Sequence, residues 1–331
     1  MIENYQNTQN DVIVSADNCD EAEVFEETNM DTLQKERYVG SVRFFKNMIL
    51  LAVIVLIAVP TCLSVYFVNS LHRTEQHLQE MTAQYDAMCQ SEMIWYGWEA
   101  ESPYAALYPD FYAPQPLTDG VRENGVIYLT FDDGPSARTG EILDVLKEKN
   151  VKATFFVIGS TGESNAQMLN RIVAEGHTLG MHTNSHNYTQ IYASVEEYLD
   201  DMYQIFTQIR ETTGVTPTLF RFPGGSINSY NSGISHELIA EMLRRGFVPF
   251  DWNISSRDAS TTKLLPADTL VNYVVAGAKN ASYGIVLMHD SAAKTTTAKA
   301  VGPMIDELQA MGFELKALTP ETQSMLFAYG K

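Results

Sequence analysis

From Val126 onward, apolar runs of strand length recur along the chain: VIYLT at 126–130, ATFFVIG at 153–159, HTLGMH at 177–182, LFRF at 219–222, FVPFDW at 247–252, GIVLMH at 284–289 and FELKAL at 313–318. Longer amphipathic segments lie between them, from Thr139 to Lys149, Val195 to Glu211, His236 to Arg245 and Lys299 to Met311. Alternation of strand and helix predicts an α/β fold with parallel strands joined by crossover helices, either an open doubly wound sheet or a closed barrel. Seven strand-length runs favour the barrel, and no fixed-period repeat suggests a solenoid.

The pattern before residue 126 is different. MILLAVIVLIAVPTCLSVYF, residues 48–67, carries no charge, and twenty helical residues at 1.5 Å each cross the roughly 30 Å hydrocarbon core of a bilayer. A membrane helix is expected over 47–68. The preceding chain is far longer than the charged start of a signal peptide, and Thr61 is larger than the small residue a lipoprotein cleavage box uses before its Cys. A retained anchor is therefore preferred. Lys35, Arg37, Arg43 and Lys46 precede the span and Arg73 alone follows closely, which orients the N-terminus to the cytoplasm and the rest outside the cell. Residues 1–46 read as an acidic cytoplasmic tail, and their first thirty or so have the composition of a solvated, disordered segment. Leu71, Leu78 and Tyr85 are seven apart, a pattern that permits a helical stalk over 69–97. A helix lying against the main domain fits equally well, and dimerisation through the stalk, with a Cys89 crosslink, stays open. Residues 98–125 gather Pro103, Pro109, Pro114 and Pro116 among tyrosines, a linker that cannot be regular helix.

Composition changes this picture in two respects. Most of the net charge of −19 lies before residue 126, and no basic stripe is present, so a nucleic acid partner is excluded. Cys19, Cys62 and Cys89 all fall in the first third, which removes a disulfide framework and any cysteine nucleophile or ligand from the region beyond.

In a parallel barrel the working residues stand at the C-terminal ends of strands. Asp132 and Asp133 follow VIYLT at such an end, His182 follows HTLGM, and Arg221, Asp251 and His289 lie at the ends of their own runs. TFDDGP, 130–135, is good turn chemistry whatever its function. HTNSH, 182–186, spaces two imidazoles by four, which would bring them onto one face of a helical turn. One carboxylate from another strand end completes a His₂-Asp set with open positions, suited to a catalytic divalent metal. The second of two adjacent aspartates can then act as a base beside the attacking water.

These motifs resemble the polysaccharide deacetylase family, the NodB-type carbohydrate esterases, over roughly residues 126–318. TFDDGP is similar to the first family motif and HTNSH to the second; Arg221-Phe222-Pro223-Gly224-Gly225 is similar to the third and Leu287-Met288-His289 to the fifth. The resemblance implies a distorted (β/α) barrel, with 126–331 as the deacetylase catalytic domain. It implies that Asp133, His182 and His186 bind a divalent metal, zinc in most members, with Co²⁺, Ni²⁺ or Mn²⁺ as alternatives. Asp132 would be the general base, held ionised by Arg221, and His289 the general acid, tuned by Asp258. The backbone N–H of Gly224 would stabilise the oxyanion, and Leu287 would line the acetyl pocket. Where many members carry Trp after the Asp of the fourth motif, this chain has Ala259. Trp252 reads as a strand-end residue beneath the site rather than a substitute.

The implied function is a membrane-anchored deacetylase of a polymeric amino-sugar glycan, with N-acetylglucosamine of peptidoglycan as the expected substrate. Relatives that act on muramic acid often carry Asn where Asp133 stands, which favours glucosamine here. An O-acetyl esterase of xylan type would use the same residues on an easier bond. A non-catalytic surface protein that binds glycans is the reading of another class. Tyr104, Tyr108 and Tyr112, spaced by four, could stack on sugar rings, but packing against the domain is the favoured reading. Asp251 and Asp290 are expected to hydrogen-bond behind the site.

Overall fold

The near-continuous hydrophobicity of the strand runs has its cause in two apolar layers, one on each face of a single parallel sheet. The computed structural model describes residues 41–61, 63–74, 76, 102–115 and 117–327, and the chain divides into two compact units, Met1–Gln79 and Glu80–Lys331. In the first unit α1, Ser41–Thr74, is long and apolar enough to cross a membrane, with a mean hydropathy of 2.8 over its most apolar stretch. The second unit runs β1 (Val126–Gly134), α2 (Ala137–Glu148), β2 (Thr154–Val157), α3 (Glu163–Ala174), β3 (Thr178–Met181), α4 (Tyr188–Ile191) and α5 (Val195–Thr213). It continues with β4 (Leu219–Phe220), α6 (Ser235–Arg244), β5 (Val248–Pro249), β6 (Ile254–Ser255), α7 (Ala267–Ala278), β7 (Gly284–His289), α8 (Thr295–Ala310) and β8 (Glu314–Lys316).

All seven expected runs contain a strand. The unforeseen β6 is only two residues long and has no apolar run to announce it. Helices α3 and α7 were also unforeseen; α3 buries only Leu169 and Ile172, so its apolar stripe is narrow. The strand order is β5-β4-β3-β2-β1-β7-β6, with β8 beside the first residues of β1, and every ladder is parallel. The sheet is a curled half-barrel. Closure is not completed by a ladder, because among the described residues β5 and β6 are its edges and each offers only two residues. Single bridges from Val121 to Thr322 and from Phe250 to Met325 bring the end of the chain alongside.

Side-chain parity explains where the chemistry sits. Ile127, Leu129 and Phe131 join the large core against the helices, while Val126, Tyr128, Phe156, Leu219, Phe250 and Ile285 form a second cluster on the other face. Continuing that second face by steps of two leads from Tyr128 to Thr130 and Asp132, from Leu219 to Arg221, and from Ile285 to Leu287 and His289. The concave side of the sheet is therefore apolar at the start of its strands and polar at their ends.

The Tyr-Pro segment at 102–115 is packed on this domain. Phe111 is fully buried, with ring centroids 4.9 Å from Phe206 and 4.7 Å from Phe247. Arg245, also fully buried, pairs with Glu241 at 2.7 Å and donates to the carbonyls of Tyr104, Leu107, Tyr108 and Phe111. Tyr108 stacks on Tyr203 at 4.4 Å and Tyr112 accepts from Arg244 at 3.0 Å, so these tyrosines pack as expected. The acidic tail through residue 40 and residues 77–101, which include Leu78, Tyr85 and Cys89 of the stalk, lie outside the described residues.

Candidate active site

Adjacent residues on a regular strand point to opposite faces, so Asp132 and Asp133 could not share a site on a straight β1. A bulge resolves this. Asp132 pairs with Phe156 and Gly134 with Val157, leaving Asp133 as the extra residue at φ 72°. A bulge re-aims its side chain, and the strand runs through both aspartates rather than stopping before them. Pro135 follows through a cis peptide. Gly134 sits so close to the Asp290 carboxylate that any Cβ there would collide with it.

The expected helical turn at HTNSH is not formed. His182 continues from β3, and the chain then loops back through Thr183 at φ 73° and His186 at φ 53° before α4 begins. The cause is a carboxylate that sequence reading did not foresee. Asp201, buried on α5 amid Tyr198, Leu199, Met202 and Ile205, accepts the backbone N–H of Asn184 and, at 3.1 Å, that of Ser185. An acidic residue inside an apolar helical stripe was its signal. The loop nonetheless delivers both imidazoles, with ring centroids 5.3 Å apart.

Asp133, His182 and His186 each offer one ligand atom, and the three atoms lie within 4.8 Å of one another. Their chemistry fits a divalent cation. The Nε2 atoms of His182 and His186 are 3.6 and 3.2 Å from Asp133 Oδ1, a buried oxygen with no hydrogen-bond partner. His182 Nδ1 lies 2.8 Å from the Arg221 carbonyl, so Nδ1 carries the proton and Nε2 keeps its lone pair for a metal. Burial lowers the His182 pKa to about 3, outweighing the Asp133 charge that raises it, so the ring is neutral at ordinary pH.

Arg221 is fully buried, and its side chain makes four hydrogen bonds among the described residues. It donates to Asp132 Oδ1 at 2.8 Å, to Thr130 Oγ1 at 2.7 Å and to the carbonyls of Phe250 and Asp251, and its guanidinium lies 4.3 Å above the Phe156 ring. Burial raises the Asp132 pKa, while the Arg221 charge pulls the other way. Oδ1 is committed to Arg221; Oδ2 is 3.8 Å from His182 Nε2.

His289 is held twice by Asp258. Its Nδ1 is 2.8 Å from Oδ1 and its backbone N–H donates to Oδ2 at 2.8 Å, while Thr297 donates to Oδ2 at 2.9 Å. Burial alone would lower the imidazole pKa, but Asp258, with the charges of Asp132 and Asp133, pushes it up to about 9. Lys294 Nζ donates to the Asp258 carbonyl at 2.8 Å.

A cavity of about 400 Å³ joins these groups, lined by Asp132, Asp133, His182, His186, Asp258 and His289 together with Gly224, Leu287 and Ala259. Every sequence-expected site residue except Arg221 lines it, and Arg221 lies directly behind Asp132. Trp252 lines it too, contrary to its expected place beneath the site: it meets the edge-on ring of Phe327 at 4.8 Å and lies 5.7 Å from the Arg221 guanidinium. Asp251 and Asp290 do hydrogen-bond behind the site. Asp251 accepts from Ser226 N–H at 2.9 Å and Phe327 N–H at 2.6 Å, bracing the loop that bears Gly224; Asp290 accepts from Thr139 at 2.5 Å.

Comparison with known proteins agrees with this geometry. A family model described as polysaccharide deacetylase matches residues 119–242. The chain is 34% identical over 204 residues to a peptidoglycan-N-acetylglucosamine deacetylase of Bacillus cereus, covering 61% of this chain and 72% of that protein. It is 34% identical to a peptidoglycan-N-acetylglucosamine deacetylase of Listeria monocytogenes, covering 60% of this chain but only 39% of that protein's length. The crystal structure of the catalytic domain of a peptidoglycan N-acetylglucosamine deacetylase from Eubacterium rectale superposes with a TM-score of 0.60 at 37% identity, over 66% of this chain and 100% of that one.

Proposed function

The chain belongs to the polysaccharide deacetylase family, and from that premise we propose that it is a metal-dependent hydrolase that removes N-acetyl groups from cell-wall amino sugars, with N-acetylglucosamine of peptidoglycan as its substrate. The observation that carries this reading is the convergence, in one cavity, of a three-residue ligand set with two separate proton-handling pairs, Asp132–Arg221 and Asp258–His289. The substrate assignment leans on the names of the relatives and on Asp133, which supplies a carboxylate to the ligand set.

A divalent cation on Asp133, His182 and His186, zinc by the donor set, supplies Lewis acidity toward the acetyl carbonyl and acidifies water in the site. The remaining work falls to the chain's own residues. Asp132 Oδ2 takes the proton of the attacking water, while Arg221 keeps the buried carboxylate ionised and aimed. His289 holds a proton on Nε2 because Nδ1 is engaged by Asp258, and it delivers that proton to the departing amine nitrogen. The N–H of Gly224, which donates to no group among the described residues, is free to meet the developing oxyanion. Leu287 gives the acetyl methyl group an apolar wall. Acetate and a free amine on the sugar are the products. In this reading α1 is a retained single-pass anchor that holds the domain at the outer face of the membrane, within reach of the wall.

The test is acetate release from N-acetylglucosamine oligomers and from purified peptidoglycan, by metal-stripped protein and after zinc is restored. Zinc-dependent release is expected, and Asp132→Asn should lower turnover about 100-fold or more with zinc still bound. Unchanged turnover in that variant would remove Asp132 as the base. Release only from O-acetylated polymers would replace the amide reading with an esterase.

A further inference from the structure

Two residues beyond His186, the first residue of α4 places an aromatic ring inside the cavity. Tyr188 is half-buried and lines it beside the ligand set. Its ring centroid is 5.3 Å from that of His186, 5.9 Å from Tyr192 and 5.2 Å from Tyr230, at interplanar angles of 87°, 76° and 61°, so none of these rings lies parallel upon it. Tyr230, in ring contact with Tyr188, is 58% exposed. No hydrogen bond engages the Tyr188 hydroxyl among the described residues, whereas the neighbouring Tyr192 hydroxyl donates to the Pro223 carbonyl at 2.7 Å.

Room for this ring depends on Gly224. A Cβ at that position would lie 3.0 Å from Tyr188 Cε1 and 3.2 Å from its hydroxyl oxygen, and the backbone there has φ 76°, which side chains rarely adopt. The two features interlock. Tyr192 ties α4 to the Pro223–Gly224 loop, and the missing side chain of that loop is the space Tyr188 occupies. The same cavity is also lined by the polar and charged residues Ser255, Arg257, Asp258, Ser260 and Lys294. A cavity lined by an aromatic ring and by polar groups matches a pyranose, which has C–H faces and a rim of hydroxyls.

We propose that Tyr188 is the substrate-positioning residue of this site: its ring is the platform for the pyranose whose N-acetyl group reaches Asp133, His182 and His186, and Gly224 is glycine to make room for it. This inference rests on the deacetylase reading, and the two separate experimentally. Wild-type acetate release from N-acetylglucosamine oligomers tests the reading; the kinetic constants of zinc-loaded full-length variants test Tyr188. Tyr188→Ala should raise KM about tenfold with kcat within threefold of wild type and zinc affinity unchanged. Tyr188→Phe, which keeps the ring, should hold KM within about twofold. An unchanged KM in Tyr188→Ala overturns the proposal, as does a fall in kcat accompanied by weaker zinc binding, which would mark Tyr188 as a mere support of His186. Should the wild type release no acetate, oligomer binding by calorimetry decides the matter: binding lost in Tyr188→Ala and kept in Tyr188→Phe sustains the platform, while equal binding, or none by the wild type, overturns it.

Discussion

Burying an imidazole in a protein disfavours its cation, yet His289 is driven the other way by the Asp258 carboxylate, which engages Nδ1 at 2.8 Å, and by the charges of Asp132 and Asp133. The result is an imidazole pKa pushed up to about 9, as the proposed general acid requires. Because this folded value lies above the ordinary 6.5 of histidine, the pair contributes stability that is complete below about pH 6.5 and is lost as pH rises through about 9. NMR titration of the metal-free protein should find the His289 ring protonating near pH 9. In Asp258→Asn the same ring should titrate at or below the free-imidazole value, since burial then meets less opposition, and turnover at neutral pH should fall by one to two orders of magnitude. A His289 titration unmoved by Asp258→Asn would break the assignment. These residues were legible as motif positions. What the motif could not supply is their order of contact: that Thr130 shares Arg221 with Asp132, or that Thr297 braces Asp258 from α8, depends on side chains separated by 91 and 39 residues in the chain.

At the scale of elements, the ligand loop between β3 and α4 shows how local spacing misleads. A separation of four residues suggests a helical turn, yet His182 and His186 meet through a loop containing two positive-φ residues. Such a loop needs an external tie, and Asp201 on α5 provides it through the Asn184 and Ser185 N–H groups. Asp201→Ala should leave α5 and the fold intact by circular dichroism while weakening zinc affinity by about 10- to 100-fold in a competition titration with a chelator. Equal affinity would mean the loop holds its shape unaided. Element lengths also explain which strands were readable. Long β1 and β7 are buried on both faces and spell continuous apolar runs, whereas the two-residue β6 carries too few positions for any pattern to register.

At the scale of the molecule, α1 and the domain beginning beyond Gln79 fall in separate compact units. The proposed topology can be read from native cysteines. In intact cells bearing the full chain, a membrane-impermeant maleimide should label Cys89 and leave Cys19 unlabelled until the membrane is permeabilised, and the chain should fractionate with membranes at full mass. Labelling of Cys19 in intact cells would reverse the orientation, and a shortened soluble product would turn the anchor into a cleaved leader.

Amphipathic spacing and apolar runs were enough to indicate the parallel α/β alternation and the apolar N-terminal helix, while the resemblance of four motifs to the polysaccharide deacetylases pointed to the groups proposed to hold a cation and move protons. Those features depend on residue type and short-range period, which a linear chain displays directly. Only the folded molecule decided that the sheet remains a curled half-barrel, that a bulge rather than a simple turn turns Asp133 toward the histidines, that Trp252 and Tyr188 enter the cavity, and that Asp201 shapes the ligand loop. Each depends on which distant segments meet and how closely. Excluded volume and the pairing of buried polar groups set such contacts in three dimensions, and no single stretch of sequence contains both partners.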